Sequence, residues 1–176
     1  MKSNKVLEAV KERRSIFKYN GEDVSKEEVN SILEAGRWAP SFANLQPWKF
    51  IVIRNEETKH KLYQLARRVT LFREGIEEAP VVIAVAVNAE EDPNHYVEAG
   101  AVASQNMALA AHSLGLSSYW IGVFDVDEEK KSAEKEAKRI LELPEEFRLI
   151  SLLPVGKSNQ VRTSERKNLE EIVVRK

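Results

Sequence analysis

The stretch from Ala39 to Phe50, Ala-Pro-Ser-Phe-Ala-Asn-Leu-Gln-Pro-Trp-Lys-Phe, concentrates groups that could recognise a small molecule. Ser41 offers a hydroxyl, and Asn44 and Gln46 offer side-chain amides that both donate and accept. Trp48 and Phe50 supply apolar bulk on which the segment can be pinned. Pro40 and Pro47 fix φ, remove backbone donors and push the preceding residue toward extended geometry, so the stretch is expected to hold one shape without regular structure. A loop of this kind suits a flat heterocycle with polar edges. The same residues also suit a plain turn between a helix and a strand, closed by serine and asparagine.

A second group, Arg13-Arg14-Ser15-Ile16-Phe17-Lys18-Tyr19, sets two guanidinium forks beside a hydroxyl. That arrangement offers several charge-assisted hydrogen bonds to a phosphate monoester, and it equally describes a solvated helix end favoured by the helix dipole. Further basic residues follow near the C-terminus at Arg162, Arg166 and Lys167. Arg67, Arg68 and Arg73 read as a solvated helical surface. Gly156-Lys157-Ser158 is not a P-loop, because the first glycine of that motif would fall on Ser151 and no helical pattern follows.

The elements that must position these groups can be read from periodicity. Ser3-Asn4 caps a helix from Lys5 to Arg13 with Val6, Leu7 and Val10 on one stripe, and Ser25-Lys26-Glu27-Glu28 is a capping box opening a helix that ends before Pro40. Lys49 to Arg54 reads as a strand and Glu56 to Arg68 as an amphipathic helix. The unbroken run from Pro80 to Val87 predicts a strand buried on both faces. His95 to Leu114 is helical and closes at Gly115; it carries no charge between Glu98 and His112 and is rich in Ala and Gly, which predicts a helix buried all round and shared with a second subunit. Ser117 to Gly122 is expected to be a short strand, Asp127 to Leu141 a solvated helix, and Phe147 to Pro154 the last strand, before an apolar tail at Leu169 to Val174.

Bulk properties narrow the function. A chain of 176 residues reads as one domain, 1–176, able to bury a proper core. With 27 Lys and Arg against 28 Asp and Glu, its net charge of −1 supplies no field to gather nucleic acid. The absence of cysteine excludes disulfides and thiolate chemistry, and His60, His95 and His112 have no metal-ligand spacing, so no metal is expected. No signal-type start and no membrane-length apolar run are present, which predicts a cytoplasmic location with no membrane partner.

Taken together, Arg13-Arg14-Ser15-Ile16, Ala39-Pro40-Ser41 with Asn44 and Gln46-Pro47-Trp48, Leu116 to Gly122, and Leu153-Pro154-Val155-Gly156 with Arg166 resemble the nitroreductase family of FMN-dependent oxidoreductases over nearly the whole chain. The resemblance implies an α+β fold with a central, mainly antiparallel sheet flanked by helices, in a homodimer with two FMN sites at the subunit interface. It implies that Arg13, Arg14, Ser15 and Arg166 hold the FMN phosphate. Pro40, Ser41, Asn44 and Gln46 would reach the flavin from the other subunit. The backbone at Ile121 and Gly122 would face the ring edge, and Pro154 and Gly156 would lie along the ribityl side. The C-terminal tail would reach over the partner. It further implies ping-pong hydride transfer from NADH or NADPH through flavin N5 to a flat electron-poor acceptor such as a nitroaromatic or quinone, with no catalytic side chain. Alternatives from the same resemblance are an FMN-binding or flavin-storage protein without turnover and a flavin-fragmenting relative; no lid segment supports a dehalogenase. One position departs from the pattern: Phe17 stands in the flavin-facing position where the family usually has Arg or Lys, and loss of a cation there should lower the flavin potential unless another base compensates.

Overall fold

Asn4 opens the first helix, α1 (Lys5–Glu12), by accepting the Leu7 amide at 3.0 Å. In the computed structural model, which describes residues 4–68, 75–122 and 133–176, α1 buries none of its residues. Its stripe of Val6, Leu7 and Val10 stays exposed, Val6 by 70%. Ser25 and Glu28 form the expected reciprocal capping box at the start of α2 (Lys26–Arg37).

The sheet has the order β1-β2-β4-β3, with every neighbouring pair antiparallel. Its strands are β1 (Trp48–Ile53), β2 (Val81–Asn88), β3 (Ser117–Ser118) and β4 (Phe147–Gly156). β2 lies at the centre, and each residue from Val81 to Val87 is fully buried because both faces of the strand are covered. Val82, Ala84 and Ala86 point to the side of α3 (Glu56–Ala66) and α5 (Ala133–Ile140). Val81, Ile83 and Val85 point to α2 and α4 (Tyr96–Ser113). A two-residue period thus builds two cores from one strand. The expected α+β architecture, an antiparallel sheet between helices, is what the chain forms.

One expectation changes. The strand expected from Ser117 to Gly122 pairs regularly only over β3, and the chain then touches the sheet again through one bridge between Ile121 and Leu152. Within its own chain α4 is buried on one side, and the second subunit expected to cover the other side contributes nothing to this burial. The α4 glycine serves contact with its own sheet, since a Cβ at Gly100 would stand 2.5 Å from Ile150 Cγ1. The opposite face, with Val97, Ala101, Gln105, Leu109 and His112, is exposed or half-buried. Finally, Arg73 and the part of the predicted Asp127 helix before residue 133 lie outside the described residues.

Gly156, at the end of β4, is required for packing: a Cβ there would lie 2.7 Å from Pro80 Cδ and 2.8 Å from Tyr19 Cδ1. At Gly122 a Cβ would meet, among the described residues, only Trp120 Nε1, at 3.7 Å, an ordinary contact. Gly156→Ala is therefore expected to cost about 1–3 kcal/mol of stability. Gly122→Ala should remain within about 0.5 kcal/mol. Urea unfolding of both variants checks this, and equal midpoints would refute the packing account.

Candidate functional site

Three parts of the sequence converge on one end of the sheet. Beyond α1 the chain crosses to β3, where Ser15 bridges Ser118 in parallel and the Ile16 amide donates to the Ser118 carbonyl at 3.2 Å. This fixes Arg13, Arg14 and Ser15 at the sheet edge. The segment after β4 returns along the same edge, so Arg13, Arg14, Ser15, Arg162, Thr163, Ser164 and Arg166 line one cavity of about 220 Å³. The two strand-end residues expected beside it are held by packing. Pro154 pairs with Val82, and its carbonyl lies 2.9 Å from the Tyr19 hydroxyl. Burial pushes the Tyr19 phenol well above its ordinary pKa, so it stays protonated and able to donate.

The charge of the cavity lining is positive throughout. None of the ion pairs among the described residues involves Arg13, Arg14, Arg162 or Arg166. The Nε atoms of Arg13 and Arg14 are buried with no hydrogen-bond partner. Burial lowers the Arg13 pKa, and the charges of Arg14 and Arg166 lower it further. Buried donors and gathered like charges without a counter-charge are unfavourable unless a ligand completes them. A phosphate monoester fits that donor set: several N–H groups, a serine hydroxyl and no carboxylate in the lining.

The stretch around Ser41 forms a separate exposed feature rather than part of this cavity. A single 3₁₀ turn, Phe42–Asn44, occupies its middle. Ser41 Oγ accepts the Gln46 amide at 2.9 Å, which closes the loop. Ala43, Asn44 and Gln46 have φ of +46°, +58° and +55°. The expectation of extended geometry before Pro47 therefore fails at Gln46, where the serine bond and the tight turn outweigh the steric preference. Phe42 stacks on His95 at 4.5 Å between ring centroids, which ties the loop to the start of α4. Left-handed backbone at alanine costs about 1–2 kcal/mol. Ala43→Gly should consequently raise the unfolding free energy by about 0.5–1 kcal/mol, measured by chemical denaturation; a loss of stability would show that this alanine is not strained.

At the edge of β4, Ile121 uses both backbone groups on Leu152, its N–H donating at 2.9 Å and its carbonyl accepting at 2.9 Å. Its side chain is buried. Gly122 is exposed, and its amide has no partner among the described residues, which makes it rather than Ile121 the available donor at this point. Phe17, half-buried, meets Tyr119 edge to face at 6.0 Å.

In the sequence nothing sets Arg162 apart from the other basic residues near the C-terminus; its place in the cavity depends on the long-range return of the C-terminal segment. Thr163 and Ser164 had no signal at all. Among the described residues there is no grouping of His, Asp and Glu suited to a metal ion, and no helix is long and apolar enough to cross a membrane.

Known proteins are similar to this chain in sequence and fold. A provisionally named NADH dehydrogenase/NAD(P)H nitroreductase of Methanothermobacter thermautotrophicus is 37% identical over 153 residues, spanning 86% of this chain and 76% of the relative. The crystal structure of a provisionally named nitroreductase from Desulfovibrio desulfuricans in complex with FMN superposes with a TM-score of 0.80 at 33% identity, over 99% of this chain and 98% of that one. Iodotyrosine deiodinase 1 of Rattus norvegicus is 25% identical over 206 aligned positions, 99% of this chain and 70% of the relative. With the family model itself matched over residues 10–74 and 67–157, across both the arginine pair and the end of β4, this chain belongs to the nitroreductase family.

Proposed function

We propose that the protein is an FMN-dependent oxidoreductase that takes hydride from NADH or NADPH and passes it to a flat electron-poor acceptor. The observation that carries this reading is the cradle with its two buried, unpartnered arginine Nε atoms, sized and charged for the phosphate end of FMN. FMN bound there supplies the hydride transfer, through its N5. The chain supplies the rest: Arg13, Arg14, Ser15 and Arg166 anchor the phosphate, and the Gly122 amide offers a donor to the ring edge.

The loop carrying Pro40, Ser41, Asn44 and Gln46 completes the site only from a second copy, since it lies outside the cavity of its own chain. A homodimer supplies that copy. The half-open face of α4, the exposed stripe of α1 and the exposed tail residues Leu169, Ile172 and Val174 provide apolar surface for it. In this reading residues 1–176 act as one unit. The reductase reading is favoured over dehalogenation because the deiodinase comparison runs over 206 positions against 176 residues here, so that relative carries inserted segments this chain lacks.

The test is the visible spectrum of the purified protein and the identity of what heat releases. A flavin absorbance near 450 nm (roughly, as for free flavin) with released FMN, from a protein that elutes as a dimer, is the expected result. A colourless protein that takes up no added FMN would overturn the proposal.

A further inference from the structure

The C-terminal arm is fastened to the N-terminal half of the cradle by a series of contacts that ends on Phe17. The Asn20 amide donates to the Lys157 carbonyl at 3.0 Å, and Lys157 pairs with Glu22 at 2.9 Å. Ser158 donates to the Lys18 carbonyl at 2.5 Å, and the Phe17 amide donates to Gln160 Oε1 at 3.4 Å. The arm then crosses the Phe17 ring, where the Arg162 guanidinium stands 5.0 Å from the ring centroid while its Nη1 donates to the Ser15 carbonyl at 3.1 Å. Beyond this point the arm reaches Arg166, whose Nη1 donates only to its own neighbours, Ser164 Oγ and the Glu165 carbonyl, both at 2.8 Å.

Arg162 has no carboxylate partner among the described residues, and it lines both the phosphate cavity and an adjoining cavity of about 190 Å³. A guanidinium on an aromatic face keeps its edge donors available, because the ring takes only the flat side. We propose that Arg162 is a fourth anion-binding cation of this cradle and that Phe17 is the platform that positions it. The proposal rests on the FMN reading for the identity of the anion, and on the cavity alone for the anion's chemistry, a phosphate monoester. Phe17 is a positioning residue; Arg162 touches the ligand.

The experiment compares FMN with riboflavin, which lacks the phosphate, on the wild type, Arg162→Gln, Phe17→Leu, Phe17→Trp and the Arg162→Gln/Phe17→Leu double variant, by flavin fluorescence quenching. Arg162→Gln should weaken FMN about 10- to 100-fold and leave riboflavin unchanged. Phe17→Leu should weaken FMN about 2- to 5-fold, Phe17→Trp should retain it, and Phe17→Leu should have no further effect once Arg162 is Gln. Equal loss of FMN and riboflavin, or independent and additive effects of the two positions, would overturn the proposal. Inorganic phosphate separates this from failure of the FMN reading. If the wild type takes up no FMN but phosphate raises its unfolding temperature, and does so less in Arg162→Gln and Phe17→Leu, the four-cation cradle stands without the flavin. An equal rise in all three proteins, or none in the wild type, overturns it.

Discussion

Replacing Arg13 and Arg166 together by alanine should leave a folded protein that no longer retains FMN. Each arginine offers a hydrogen bond to a charged group worth roughly 1.5–3 kcal/mol, so the pair should cost on the order of 10²- to 10⁴-fold in affinity. The folded state itself should not suffer. Burial and the neighbouring charges of Arg14 and Arg166 already disfavour the charged form of Arg13, so removing two of the gathered cations relieves repulsion in the ligand-free protein. Flavin content after purification, with a fluorescence titration of added FMN, measures the effect. Unchanged content would remove the phosphate assignment, and a large loss of apo stability would mean the arginines serve the fold instead.

The second large effect is the stabilisation of the whole protein by its ligand. A ligand that binds only the folded state at 1,000 times its dissociation constant adds about 4 kcal/mol. For a chain of this length that corresponds to roughly 8–16 °C in unfolding temperature. Riboflavin should give a much smaller shift because it leaves the buried arginine donors without an anion. The shift should also shrink on acidification through a phosphate second pKa of about 6, where the monoester loses one of its two charges. A shift equal for the two flavins would locate the binding energy on the ring side and contradict the cradle. Differential scanning fluorimetry at several pH values reads all three expectations.

Much of this fold is legible in the sequence for local reasons. The alternate faces of Val81 to Val87, the capping box at Ser25 and Glu28, and the helix ending at Gly115 are each set by neighbours in the chain, and each stands where periodicity or chemistry puts it. The donors of Arg13, Arg14 and Ser15 are legible from residue type alone, whereas their gathering into one cavity is not. Long-range pairing was not legible. The bridge from Ile121 to Leu152, which commits the Ile121 backbone, depends on where β4 lies, and the meeting of Arg162 with Phe17 depends on the path of the arm. The left-handed backbone at Ala43 and Gln46 runs against the residues' own preferences, and no local rule predicts it; the Ser41 hydroxyl, which accepts the Gln46 backbone amide, closes the turn against the preference that Pro47 imposes. On α4, Gly100 is small because Ile150 of the same chain lies against it, while the face with Val97, Ala101, Gln105 and Leu109 stays open. Composition shows that a helix surface can be approached closely, but not by which neighbour.

The most direct test of the central claim is anaerobic absorbance of the FMN-loaded protein on addition of NADH and, separately, NADPH. Bleaching of the flavin band by at least one of them, followed by recovery when a quinone or nitroaromatic is added, is the result expected of an oxidoreductase that draws on a nicotinamide. A band that neither nucleotide bleaches while dithionite does would contradict it, and would leave a protein that holds FMN without turning it over.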